Sequence, residues 1–504
     1  MKLLLTTLDN GCIKTDLALK YLYTVVADAP IDVEFKKFNE GKTDHEIYRD
    51  IVLEKYNVIY FHVNAGNDER IRSIVDNVKK AMPTSVIVIG GMETTFDSYE
   101  YMQKNPAIDF IIRGEGELVL FNFVKSLVKY DFDFATIAGL AYRENGNIIV
   151  NPLEASIRFE DIPFPYEKLE VLKGDIVGYE SMRGAFDRCS YRQILPDVRL
   201  RSLPIDRICR EIKYFIVRGA KEVHFVDRYF NYNPQKAYKV WEYIINNDNG
   251  DIKFFFDVDG DVIDEESCEL LKTARKGLFE FNVDIESTNP EVLDAVGRKA
   301  NIYQSLYNIS KLIGEDTVNI NVNLKAGLPY ETPKLFARAF DKVYGLGANR
   351  INVEVLKIKR GTLIRENASK YGYIYMNKAP YEILKNDYMK PSDIIRIKMF
   401  SNFLRAIETG FEDSIKKLRS DLRMKPYHLF TSIIEFMITN KLQDSLHSKE
   451  DCYRLIYAYA TNTYDASGDT MQIPVLKQVM RSDMSKVMDD DDEINRLIEE
   501  GLEF

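Results

Sequence analysis

Short apolar runs alternate with amphipathic stretches through the first 130 or so positions of the chain. Lys2–Leu8, Ile31–Phe38, Val58–Val63, Ser85–Ile89 and Phe110–Ile112 are brief, β-rich and apolar almost throughout. Between them, Asp16–Ala27, His45–Lys55, Glu69–Ala81 and Glu117–Val128 place apolar residues at helical spacing. Apolar strands that alternate with helices predict a parallel sheet covered on both faces. Ligands of such sheets lie over the carboxyl ends of the strands, where the loops read DNGCIKT, NAGND, GGMETTF and RGEGE. A hairpin follows in RENGNIIVNP, with Asn145-Gly146 as its turn. The two prolines of IPFPYE then mark a domain boundary.

A second alternation runs from about Asp175 to Val355. Its strands are Ile176–Glu180, Glu222–Val226, Lys253–Val258, Leu278–Ile285, Thr317–Leu324 and Arg350–Val355. Five or six βα units in this space predict a partial or closed parallel barrel. From Asp393 onward the pattern is helical. The expected organisation is a flavodoxin-like α/β domain (1–135), a linker (136–172), a partial (βα)6 barrel (173–392) and a helical domain (393–504).

A chain of 504 residues is too long for one core, which agrees with several domains. The net charge of −10 argues against a protein built to grip nucleic acid. No apolar run approaches the roughly 18–20 residues of a membrane helix. The start, MKLLLTTLDNG, turns polar at once and reads as a buried strand, not a signal peptide. Five cysteines, at 12, 189, 209, 268 and 452, are irregularly spaced and give no disulfide framework. They point to a reducing compartment, so a cytoplasmic protein is expected. The acidic run Asp489–Glu493 reads as a solvated surface, not a calcium loop.

Two glycine loops carry the candidate chemistry. GGMETT ends the fourth strand and RGEGE the fifth, and glycine there lets backbone approach a ligand closely. In this order and setting, Gly90, Gly91, Glu93, Thr95 and Arg113, Gly114, Glu115, Gly116, Glu117 resemble the loops of radical SAM proteins that carry an N-terminal cobalamin-binding domain. EDIPFPY, YESMRG, VHFVDRYFNYNP, ESTNPEVLDAVGRK and LKAGLPYET continue the resemblance over essentially the whole chain. It implies a cobalamin site that takes in Asn10 and Thr15 of the first loop, His62, Gly90, Gly91, Glu93, Thr95, Gly114, Glu115 and Gly116. The family's DxHxxG lower-ligand motif is absent, as in many members. His62 ends the third strand, and a neutral imidazole there is either a cobalt ligand or simply hydrogen-bonded, the latter preferred.

The resemblance breaks at the cluster loop. Members of the family hold a [4Fe–4S] cluster with three thiolates spaced CxxxCxxC. Here RGAFDRCSYRQ puts Ala185, Cys189 and Arg192 at those positions. Alanine has no donor atom and arginine is permanently cationic. The fourth strand departs as well, with Asn282, Asp284, Glu286 and Ser287 where the family has E-x-G-x-Q-S, and Tyr229 stands in place of a small hydroxyl residue. Neither a cluster nor cleavage of S-adenosylmethionine is therefore expected, while cobalamin remains an open cofactor.

Asp257, Asp259, Asp261, Asp284 and Glu286 fall at or after barrel strand ends and are expected to converge near Arg183 and Arg192. Such carboxylates suit a hard divalent cation or a cationic substrate. They equally suit ion pairing with Arg192 as a plug where the cluster was, the preferred reading. Asp257, Asp259, Asp284 and Glu286 are the weak catalytic candidates. The function expected is a cobalamin-binding scaffold, or a partner of an intact radical SAM relative or of a second copy. The alternative is an enzyme using cobalamin-dependent methyl transfer or acid–base or metal chemistry without a cluster. Neither nucleic acid nor membrane is an expected partner.

Overall fold

The computed structural model describes residues 1–504 except 10, 154–156, 185–188, 196–198, 443–447, 489 and 501–504. Five strands, β1 (Lys2–Leu8), β2 (Asp32–Phe38), β3 (Val58–His62), β4 (Val86–Gly90) and β5 (Phe110–Ile112), pair in parallel. Their apolar continuity has a plain cause, because both faces are covered. Leu4, Ile59 and Ile87 pack under one helical layer, and Leu3, Leu5 and Val88 under the other. The hairpin expected in the linker instead extends this sheet. β6 (Leu140–Glu144) pairs antiparallel with β5 and β7 (Asn147–Val150) with β6, giving the order β2-β1-β3-β4-β5-β6-β7. Tyr142 brings its ring onto Phe110, which explains why the hairpin is held to the sheet.

The second unit begins with β8 (Ile176–Tyr179) and a small antiparallel pair, β9 (Met182–Arg183) with β10 (Arg201–Ser202). β11 (Glu222–Phe225), β12 (Lys253–Val258), β13 (Phe279–Glu286), β14 (Val318–Ala326) and β15 (Arg350–Val355) follow. The six parallel strands run β15-β14-β13-β12-β11-β8, a sequential curved sheet in which β15 and β8 are the two edges. It is the partial barrel expected. Alternate residues Phe254, Phe256, Phe281, Val283, Val322 and Leu324 are buried in the apolar core. The intervening positions are polar and bond across the strands. Asn282 donates to Asp257 (3.0 Å), Asn321 to Asn282 (3.1 Å), Asn323 to Asp284 (2.8 Å) and Asn352 to Asn323 (2.9 Å). This amide ladder gives the barrel a hydrophilic inner wall.

The two units touch directly. Helix α1 (Ile13–Val26) lies against β8, where a Cβ on Gly178 would stand 2.7 Å from the Ile13 side chain. Only glycine allows that approach. Beyond β15, a two-stranded pair, Ile374–Tyr375 with Ile383–Lys385, leads into helices Pro391–Ala406, Pro426–Thr439, Lys449–Ser467 and Gln472–Met484. Phe340, Phe400, Tyr427 and Phe430 pack ring against ring, so these helices share the barrel's core. Among the described residues, no helix is long and apolar enough to cross a membrane.

Candidate functional site

Arg192 lines the cavity at the barrel mouth. Its side chain is 10% exposed, and Nη2 donates to Asp284 Oδ2 at 3.2 Å and Glu286 Oε1 at 3.1 Å. The same nitrogen bonds the Tyr229 hydroxyl, and the guanidinium lies 4.9 Å from the centre of that ring. Arg298 lies over the same ring at 4.6 Å and forks onto Asp259 at 3.0 and 3.1 Å. Tyr229 and Glu286 have φ of 52° and 64°, left-handed values that non-glycine residues rarely adopt. Two arginines thus grip one tyrosine and three carboxylates.

Of the five carboxylates expected to converge, Arg192 therefore gathers Asp284 and Glu286. Asp259 belongs to Arg298; burial, together with the nearby Asp261, pushes its carboxyl up to about 6 against the pull of that arginine. Asp261 accepts the Asn301 backbone N–H at 2.7 Å, and Asp257 accepts from Asn282, its carboxyl raised chiefly by burial. Arg183, expected beside them, lies elsewhere because Glu180 and Glu117 hold it. Cys189 is buried, with its carbonyl accepting from the Arg192 backbone N–H at 3.0 Å. Ala185 lies outside the described residues. Among the described residues, no group of three or more His, Cys, Asp or Glu side chains is placed to hold a metal ion.

The glycine loops are laced to one another and to the barrel. Gly91 has φ of 122° and ψ of 171°, a region essentially reserved for glycine, and a Cβ there would sit 2.1 Å from the Val63 carbonyl oxygen. Beside it, a Cβ on Gly90 would meet the Tyr60 hydroxyl. Thr95 Oγ1 donates to the Gly91 carbonyl (3.0 Å) and accepts from the Gly114 N–H (3.2 Å). Glu93 is 3% exposed and accepts from Arg360 Nε at 2.9 Å and from the Tyr381 hydroxyl; Arg360 also donates to Asp97 at 2.8 Å. Glu115 accepts from Arg201 Nη1 at 3.1 Å, and Glu117, in the first turn of the helix that begins at Gly116, from Arg183 Nη1 at 2.7 Å.

The remaining candidates sit over the same strand ends. Thr15 accepts from Asn64 Nδ2 at 2.9 Å, while Asn10 lies outside the described residues. His62 Nδ1 is 3.1 Å from the Tyr60 hydroxyl, and burial holds its pKa down to about 4, so the imidazole is neutral. Among the described residues no side chain or backbone group bonds its Nε2. A neutral ring with one nitrogen anchored and the other open has the donor chemistry cobalt takes. That fits a corrin, and the close contacts of Gly90 and Gly91 serve packing as well. Gly91→Ala is accordingly expected to cost about 3 kcal/mol of stability from backbone strain and the Val63 overlap. Urea denaturation measures it, and a loss within 0.5 kcal/mol or so would leave the glycine open to a ligand role.

Some residues that shape the site carry no pattern of their own. Asp227 is 1% exposed and accepts from the backbone N–H of Ser181 (2.8 Å) and Met182 (3.0 Å) and from the Ser181 hydroxyl. It fixes the turn into β9; burial lifts its pKa to about 7. Its signal was its place at a strand end in VDRYFN. Arg360 shows no signal at all, since its partner Glu93 lies 267 residues earlier.

Three family models match the chain. Residues 10–124 match the B12 binding domain, 181–359 the radical SAM superfamily, and 369–499 a protein family of unknown function, DUF4080. An uncharacterized methyltransferase of Pyrococcus horikoshii is 28% identical over 230 residues, 44% of this chain and 49% of that protein. The cobalamin-dependent radical SAM methyltransferase TokK of Streptomyces tokunonensis is 22% identical over 292 residues, 54% of this chain and 42% of its own. The chain thus spans about half the length of these curated relatives. Among solved structures, the radical S-adenosylmethionine methyltransferase TsrM from Kitasatospora setae, with cobalamin and a [4Fe–4S] cluster bound, aligns with a TM-score of 0.60 at 18% identity over 79% of this chain and 82% of that one. The cobalamin-dependent enzyme OxsB, with aqua-cobalamin and S-adenosylmethionine bound, gives 0.64 at 14% identity over 99% and 83%. At such identities the likeness is one of fold.

Proposed function

The chain is a member of the radical SAM superfamily with a B12-binding domain, and from that premise we propose that it binds cobalamin but neither carries a [4Fe–4S] cluster nor cleaves S-adenosylmethionine. It serves as a cobalamin-binding scaffold or as the partner of an intact relative or of a second copy, in the cytoplasm. The observation that supports this reading is Arg192, whose guanidinium is bound to Asp284, Glu286 and Tyr229 at the third thiolate position. Cys189 is left as the one thiol of the loop, and a single thiolate does not hold a cluster of this kind.

On the cofactor side, His62, Thr15 and Asn10 and the loops with Gly90, Gly91, Glu93, Thr95, Gly114, Glu115 and Gly116 are the residues proposed to hold the corrin. Cobalamin, when bound, supplies alkyl-transfer chemistry. The chain's own contribution is a neutral imidazole, fixed by Tyr60, and two backbone loops held rigid by Thr95.

A second reading is an enzyme that performs cobalamin-dependent methyl transfer without a cluster. The methyltransferase relatives favour it. One anaerobic preparation tests the main reading. Iron and sulfide are expected below about one atom per chain after reconstitution, and a full cluster's complement would overturn it. Hydroxocobalamin is expected to coelute with the protein in gel filtration, and corrin-free protein would refute the cofactor assignment. Loss of a methyl group from methylcobalamin to an added thiol, catalysed by the protein alone, would favour the enzyme over the scaffold.

A further inference from the structure

The barrel holds a cavity of about 660 Å³, within the size range of small-molecule sites. Its charges are unevenly matched. On one wall Arg192 answers Asp284 and Glu286, and Asp257 has the Asn282 amide. On the other wall, β14 and the segment after β15 bring Lys325, Lys357 and Lys359 to the cavity. Glu354 stands among these ammonium groups, and Lys325 takes it at 3.0 Å. Its carboxyl is held below the ordinary glutamate value first by Lys325, with Lys357 and Lys359 adding to the effect. Lys357 and Lys359 make no ion pair among the described residues.

Unpaired lysines in open solvent need no partner, but these are partly withdrawn from water. Burial lowers the Lys359 pKa, and the fields of Lys357, Lys325 and Arg228 lower it further against the opposing pull of Glu354. Like charges gathered at a half-dry wall repel each other unless an anion lies between them. Beside them, Gln193, Asn323 and Asn352 line the cavity with amides. Compact ammonium groups on flexible stems bind phosphate and carboxylate oxygens as point charges.

We propose that this wall is a binding site for a small polyanion, whose phosphate or carboxylate oxygens are held by Lys357 and Lys359 with Lys325 beside them. Arg192 and Lys14 of the first loop line other parts of the same cavity, but the proposal needs only the lysine wall, so its test does not depend on the cobalamin assignment.

Calorimetric titration of the full chain with inorganic pyrophosphate and, separately, with citrate tests it. At least one is expected to bind saturably with one-to-one stoichiometry, and the tighter of the two identifies the anion class. The Lys357→Gln/Lys359→Gln variant is expected to weaken binding at least tenfold, while Lys357→Arg/Lys359→Arg retains it. Lys276→Gln, on an exposed lysine far along the chain, is expected to bind as the parent does. Circular dichroism and retained corrin absorbance show whether each variant is folded and whether the N-terminal site is intact. No saturable binding of either anion, or equal binding by the folded double glutamine variant, would overturn the proposal.

Discussion

Arg192→Ala is expected to destabilise the barrel by about 3–5 kcal/mol, the usual cost of removing one partner from a buried ion pair. Glu286 is 2% exposed and would keep its position with the guanidinium gone. Asp284, at 37% exposure, can turn to water and contributes less. Tyr229 would lose both a hydrogen bond and the cation over its ring, while remaining in its left-handed conformation under Arg298. For a domain of this size the loss corresponds to a melting midpoint lower by about 10 °C. Lysine at 192 offers a point charge in place of a planar guanidinium that lies over the Tyr229 ring and reaches three acceptors through Nη2, so Arg192→Lys should recover only part. The decisive comparison is Arg192→Ala with Glu286→Gln in one chain. If the deficit is the stranded Glu286 charge, the second change restores stability by 1 kcal/mol or more. If the two losses simply add, Arg192 fills space without answering Glu286, and the account of the plug is wrong.

The strands were legible because their environments differ in kind. Both faces of the first sheet are covered, so β1 reads as LLLTTL; one face of the barrel is polar, so β13 and β14 alternate. The asparagines on those strands bond across the sheet, and nothing local foretold it. The Asn145-Gly146 turn was plain, with φ of 49° and 81°. Its attachment to the first sheet was not, because pairing with β5 depends on Phe110 and Tyr142 meeting across thirty residues of other structure.

The site was legible in half. Arg192 with Asp284 and Glu286 followed from strand ends that share one barrel rim. Arg183 did not, for it is shared between its near neighbour Glu180 and Glu117, which comes from the other domain. The same reason hid the partners of Glu93, Glu115 and Glu117. Those glutamates belong to motifs that resemble a cofactor loop, and in this fold each meets an arginine of the barrel unit. Such pairings span from 66 to 267 residues and leave no periodic trace.

Arg183 tests what those interdomain contacts contribute. Its guanidinium sits between the rings of Tyr21 and Phe159, at 5.2 and 5.0 Å, and donates to Glu180 (2.7 Å from Nη2) and Glu117 (2.7 Å from Nη1). Burial raises the Glu180 pKa, and Arg183 is the largest influence pulling it back down. In Arg183→Ala the carboxyls of Glu180 and Glu117 would face each other without that cation, at 15% and 7% exposure. Near the ordinary glutamate value of 4.5 and below, Glu180 can carry a proton and little charge is stranded. As pH rises, the unfolded chain releases that proton first while the folded variant retains it, so its stability falls with pH over that interval. The deficit against the parent is therefore expected to be small near pH 4.5 and to grow to about 3–5 kcal/mol by pH 8. Urea denaturation across that range, with limited proteolysis at the linker to detect separation of the domains, measures it. A deficit that is the same at every pH would assign Arg183 to packing between the two rings, and the glutamates of the RGEGE loop would then be free to serve a ligand instead of the interface.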